Sequence, residues 1–243
     1  MATKAVVDTA VGLIRAAGAV ARPAYLAVAV LWPVSVALTV RFAPMEKVAK
    51  GDPTSIAVMI LAAILPAIAG ALATRTLLGA AKPWRLDSGL AAYVAIEAGM
   101  ALAWDRLFAL GGLEEGAKAV QLPPLTAITL FVGALGLVLA TLYWQLWPVG
   151  RVMGDRTMTP MRSVQQMVGA VGASILASLL LAGAAGFLMA AFAAAVAQTL
   201  GASDETAVII LSVALTPAQI LGLAVTAAVW RLRNGAQVDQ VFD

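Results

Sequence analysis

From Thr159-Pro160 the chain continues to about Leu200 without a helix breaker, the longest apolar segment in the sequence. Thr followed by Pro is a helix-start signal, because the hydroxyl caps the first turn and proline suits the first helical position. Roughly 40 residues at 1.5 Å each span about 60 Å, twice the ~30 Å hydrocarbon core of a bilayer. The first turns therefore belong outside the core. Arg162, Gln165 and Gln166 fit there, and Gly169 or Gly172 offers a bend. Further along, Ser174, Ser178, Ala182 and Gly186 continue a four-residue repeat of small side chains from Ala170 to Ala194. Such a ridge lets helix backbones approach closely, so this helix is expected to be the packing spine of a membrane bundle.

The remaining sequence agrees with that setting. Of the 243 residues, 62% are hydrophobic and 12% charged, and the mean hydropathy is +0.93. A soluble domain carries roughly a quarter charged residues, so an integral membrane protein is expected. No charged, mixed-composition block is long enough for a separate soluble domain, and residues 1–243 read as one polytopic membrane domain. The chain has no Cys and no His. Disulfides, thiolate nucleophiles, the usual zinc and haem ligands and His-based catalysis are thereby removed, and no cofactor is expected. The net charge of +3 and pI near 9.5 come from basic residues set beside apolar spans rather than gathered in one patch. That distribution points to anionic lipid headgroups, not to nucleic acid.

The predicted fold is all-α, with six transmembrane helices and an N-terminal amphipathic interfacial helix. Residues 3–20 place Lys4, Asp8 and Arg15 on one helical face and Val6, Leu13, Ile14 and Ala17 on another. Asp8 in its middle argues against a signal peptide; an N-terminal extension of the first span is the alternative to an interfacial helix. The spans fall at about 23–40, 54–74, 89–110, 125–147, 168–198 and 206–230. Pro33 and Pro66 lie inside the first two, and Thr216-Pro217 interrupts the last. The fourth is expected to end in an interfacial belt of Tyr143, Trp144 and Trp147, stopped by Pro148. Arg75, Lys82 and Arg85 read as basic residues closing the second span, and the loop at 111–124 is acidic through Glu114 and Glu115. Most of the 16 Lys and Arg fall on the side of the two termini. The positive-inside rule then puts both termini in the cytoplasm.

An aromatic-rich span ending at Pro148, a short loop, and Pro160-Met161-Arg162-Ser163 leading through Gln165-Gln166-Met167 into a long apolar helix form one recognisable arrangement. With the terminal Trp230-Arg231-Leu232-Arg233, it resembles the YciC-like bacterial inner-membrane proteins, which are similar to the membrane domain attached to some glycerophosphodiester phosphodiesterases. The resemblance implies a helical, multi-pass inner-membrane protein without a known catalytic role, and it carries no active site.

Glu97 is the sharpest single feature, because an ionisable group within a span costs several kcal/mol unless paired, neutralised or hydrated. Tyr93 and Ala101 share its helical face. A proton or cation relay and a protonated carboxyl bonding across a helix interface are both open readings. Gln145, Gln219 and Thr216 are further polar groups in spans, explained by hydrogen bonds between helices or by a substrate cavity. Asp105-Arg106 read as a boundary cluster. Arg151, Arg156 and Arg162 form a basic cytoplasmic edge beside Trp144 and Trp147, either ordinary anchoring or a site for a lipid headgroup or partner. There is no phosphate-binding GxxxxGK[ST] loop, no HExxH and no paired acidic motif, so an enzyme is not expected. The leading expectation is a non-catalytic structural or lipid-contacting component, in a homo-oligomer or as an accessory subunit of a larger membrane complex. The alternative is a small transporter or channel that uses Glu97.

Overall fold

Side-chain caps and prolines decide where the helices begin. The computed structural model describes residues 1–44, 47–48, 50–111 and 124–241, with side chains described except at 108–111, 124–127 and 236–241. Among them the structure is helical, without a strand. The helices are α1 (Thr3–Ala17), α2 (Arg22–Phe42), α3 (Pro53–Leu77), α4 (Ser88–Gly111), α5 (Pro124–Trp144), α6 (Leu146–Val152), α7 (Pro160–Met167), α8 (Val171–Thr199), α9 (Asp204–Ala214) and α10 (Thr216–Val241). Asp52 caps α3 by accepting from the Ser55 N–H at 2.7 Å. Asp87 caps α4 through Leu90 N–H at 2.9 Å. Thr159 caps α7 through Arg162 N–H at 3.2 Å, and Ser203 caps α9 through Thr206 N–H at 3.4 Å. Each carries a donor of the first turn that has no partner within its own helix. Glu114 and Glu115 of the acidic loop lie outside the described residues.

Among the described residues, three helical runs are long and apolar enough to cross a membrane: Thr3–Phe42, Pro53–Leu77 and Val171–Thr199. The pairs α5–α6 and α9–α10, bent by 43° and 42°, raise the number to five if each counts as one span. The chain is thus a helical protein with several apolar helices of membrane-crossing length. α4 has 24 residues, enough for roughly 36 Å, but Glu97, Asp105 and Arg106 keep it out of that apolar set.

The breaks depart from the sequence expectation in three places. Pro148 does not stop a helix: the bend is at Gln145, and Pro148 sits inside α6. The segment from Thr159 to Leu200 does not merely bend at Gly169, one of the two positions expected to allow it: α7 ends at Met167, Gly169 takes φ 75°, and α8 starts afresh at Val171. That left-handed backbone is cheap for glycine and strained for other residues. The last span, expected to end at about residue 230, continues as helix α10 to Val241.

α3, not α8, is the buried centre. Half of its most apolar stretch is buried inside the protein, against 6% for α8. Its Ala62, Ala63, Ala67, Gly70, Ala71 and Ala73 are small enough to let α2 and α4 come close on either side. A Cβ on Gly70 would lie 3.1 Å from the Tyr93 hydroxyl of α4. At the end where α3 meets α4, a second packing centre joins α1, α6, α8 and α10. Val6, Ala10 and Leu13 of α1 are buried there with Leu146, Met158, Met167 and Trp230. The apolar face of α1 is therefore covered by protein, and Gly18, at φ 45° and ψ −131°, breaks the helical path before α2.

Arg75 ties these two centres together. Expected as a basic residue closing a span, it is 4% exposed. Its Nε donates to the Val152 carbonyl at 3.0 Å, its Nη1 to the carbonyls of Pro83 and Arg85 at 3.3 and 2.6 Å, and its Nη2 to Asp87 Oδ1 at 2.5 Å. Burial pushes the Asp87 carboxyl up, but the Leu90 N–H and the Arg75 guanidinium outweigh it and hold Asp87 below the usual carboxylate range. Arg75→Ala takes the donor from three carbonyls and leaves Asp87, one-third exposed, with the Leu90 N–H alone, and is expected to destabilise the fold by about 1–3 kcal/mol, seen as a lowered unfolding midpoint in detergent. Because the folded carboxyl titrates below the unfolded value of ~3.9, the contribution of Asp87 is present above that value and lost as pH falls through the folded one. Unfolding midpoints measured between neutral pH and pH 3 should fall in the wild type and much less in Asp87→Asn.

Candidate functional site

α4 carries Tyr93, Glu97 and Ala101 four residues apart, so all three face the interior of the bundle. Opposite them, α10 presents Gln219, Leu223 and Thr226, again on one helical face. Between these faces, α3 and the α5–α6 bend is a cavity of about 400 Å³. Glu97, Tyr93, Gln145 and Gln219 all line it, together with Thr74, Trp104, Thr141, Trp144 and Thr226. The structure thus brings together four polar residues that the sequence places in three different spans. A smaller cavity of about 190 Å³ lies towards α2, lined by Val28, Trp32 and Pro66 among others. Tyr93, Glu97, Ala101, Gln219 and Leu223 line both cavities.

The polar residues divide into those held by the protein and those left open. Gln145, at the α5–α6 bend, donates from Nε2 to the Leu142 carbonyl at 3.0 Å and to Ser174 Oγ at 3.3 Å, and its Oε1 accepts from Thr226 at 3.4 Å. It links the bend to α8 and α10. Tyr93 is buried against Gly70 and Thr74 of α3, and Trp104 Nε1 donates to Thr141 at 3.3 Å. Glu97 and Gln219 have no side-chain hydrogen bond or ion pair among the described residues, and no Lys or Arg lines either cavity. A lone carboxyl and a lone amide therefore open onto the same space. Chemically, this pair can bind a proton or a small cation, with hydroxyl and amide oxygens as further ligands. Among the described residues no three His, Cys, Asp or Glu come together.

Both bent spans meet this region. The α9–α10 bend precedes Gln219, whose backbone N–H reaches back to the Leu215 carbonyl at 3.1 Å. Thr216, at that bend, has a buried hydroxyl without a hydrogen-bond partner. Interrupted helices within a membrane domain occur where the freed backbone is covered by protein or lines a cavity.

The other candidates fall elsewhere. Trp144 borders the cavity and meets Trp147 edge to face, with ring centres 6.1 Å apart, while Trp147 packs against the core around Leu146. Arg151 donates to the Arg156 carbonyl at 3.0 Å. Arg162 bonds the Thr157 hydroxyl and lies 3.7 Å from Asp155, so two of the three arginines are engaged within their own loop. That loop is locked by Met158, which would collide with any side chain at Gly150, a Cβ there lying 2.6 Å from Met158 Cγ. Ser174 is buried and bonded to Gln145. Gly186 faces Ala218 and Leu215 at the α9–α10 bend, and Ser178 and Ala182 are half-buried. Sequence reasoning missed Thr74, Thr141, Thr226 and Trp104. For Thr226 the signal was available: it lies seven residues after Gln219, on the same face.

The contrast between held and open amides is directly measurable. Gln145→Leu removes bonds to three segments and should lower stability by about 1–2 kcal/mol, whereas Gln219→Leu, which loses no internal partner, should leave the unfolding midpoint unchanged or raise it. Thermal unfolding in one detergent, followed by tryptophan fluorescence, separates the two.

Compared with known proteins, the chain matches no family model, no curated protein and no solved structure.

Proposed function

We propose that the protein is a small multi-pass transporter or channel of the bacterial inner membrane, taking a proton or a small cation at Glu97. The observation that carries this reading is the open carboxyl of Glu97, shared by two cavities and joined there by the open amide of Gln219. An unpaired ionisable group in a membrane domain is costly, and sites of that kind serve ion pathways. In this reading α4 is a sixth span, tolerated despite its charge because its polar face is turned to the cavities, and both termini lie in the cytoplasm. Glu97 binds the ion and Gln219 offers its amide oxygen. Tyr93 of α4 and Thr74 of α3 border the same cavity. The two bent helices resemble the interrupted spans that flank central sites in many transporters.

The second reading is the one the YciC-like resemblance implies: a non-catalytic structural or lipid-contacting protein, or an accessory subunit. It is favoured by the outer face of α8, where Leu179, Leu180, Phe187, Leu188 and Phe192 are all exposed. Such a face meets lipid or a neighbouring helix.

Reconstitution into liposomes distinguishes the two. The wild-type protein should dissipate an imposed proton or monovalent-cation gradient, and Glu97→Gln should reduce the flux to that of empty vesicles while keeping the wild-type unfolding midpoint. Equal flux through both proteins would discard the role of Glu97. No flux from either, with a partner or second copy retained in native mass spectrometry, would favour the subunit reading.

A further inference from the structure

A further open cavity lies apart from the polar one. On the outer side of α3 and α4 runs an apolar groove of about 760 Å³. Ile60, Ile64 and Ile68 of α3 form one wall, and Ala91, Ala95 and Gly99 of α4 form a low floor beside it. From Leu90 to Leu102 the groove follows α4 for about 18 Å, close to the ~15 Å half-thickness of a bilayer's hydrocarbon core. At one end it changes character abruptly, where Leu86, Asp87 and Ser88 form its mouth.

The mouth is built from the turn that Arg75 holds. Arg75 bonds the carbonyls of Pro83 and Arg85, and the Arg85 N–H closes onto the Lys82 carbonyl at 3.1 Å. This fixed turn presents Lys82, Trp84 and Arg85 as exposed side chains. Neither Lys82 nor Arg85 has an ion pair or a side-chain hydrogen bond among the described residues. The one acid at the mouth, Asp87, is already engaged by Arg75 and by the Leu90 N–H. Next to it, Leu86 is 87% exposed, an apolar side chain at the edge of a charged turn. An apolar groove of one-leaflet length ends at Leu86 and Asp87, next in the chain to a turn that carries two cations without ion pairs and an exposed indole, and one class of molecule has the matching halves.

We infer that the α3–α4 groove binds an anionic glycerophospholipid, with an acyl chain along Ile60, Ile64 and Ile68 and its phosphate at Lys82 and Arg85. Trp84 sits at headgroup level, where indoles are favoured. The site is separate from Glu97, and the inference holds whether or not the protein carries ions.

The test is native mass spectrometry of the full chain released from nanodiscs containing equal phosphatidylglycerol and phosphatidylcholine. The wild type should retain one phosphatidylglycerol, with a preference of roughly 30-fold expected from two surface cations. The double variant Lys82→Gln, Arg85→Gln should lose that preference but still take a lipid. Ala95→Phe, which fills the groove at an exposed position, should lose both lipids while keeping the wild-type unfolding midpoint. An unchanged headgroup preference in the double variant, lipid retained by Ala95→Phe, or a lipid-free dimer disrupted by Ala95→Phe would each overturn the assignment.

Discussion

The rest of the structure depends on the buried guanidinium of Arg75. A charge that is 4% exposed must find partners for its donors, and Arg75 finds them on two sides. One set lies in the turn leading to α4, the other at the end of α6. These bonds fix the angle at which α3 hands the chain to α4, and so the facing of Tyr93 and Glu97. They also hold the turn that presents Lys82 and Arg85. A buried guanidinium gains little net stability over an apolar group of the same shape, but the directions of its five N–H donors tolerate few alternative arrangements. Here it acts as a register pin between two packing centres.

Around that pin the helices are of two kinds. α3 is lined with alanine and glycine and sits in the middle, because small side chains let two neighbours approach at once. α8 has a similar small-residue repeat but lies at the edge, with Leu and Phe turned outward. The same pattern thus gives different depths. What separates them is the opposite face: Ile60, Ile64 and Ile68 of α3 border a groove, while the bulky residues of α8 stand free of protein.

The polar cavity follows from a similar asymmetry. Gln145 is consumed by structure, since bending a helix in an apolar setting leaves backbone groups that must be covered, and its amide links that bend to α8 and α10. Glu97 and Gln219 have no such duty. Polar groups without internal partners burden an apolar fold, and these two share one place, lining both cavities.

Much of this was legible in the residues. Hydropathy pointed to apolar helices of membrane-crossing length, the Thr159 cap marked a helix start, and Glu97, Tyr93, Gln145 and Gln219 stood out because polar side chains are rare in apolar spans. Such signals are local, set within a turn or two of backbone, so a sequence carries them directly. The sequence could not show that Arg75 turns inward, that the fourth span bends at Gln145 instead of ending at Pro148, or that the four polar residues share one cavity. Those outcomes rest on contacts such as Arg75 with Val152, 77 residues apart, and Thr226 with Gln145, 81 apart. A side chain's burial and partners are properties of the surface opposite it, and only the packed bundle supplies that surface.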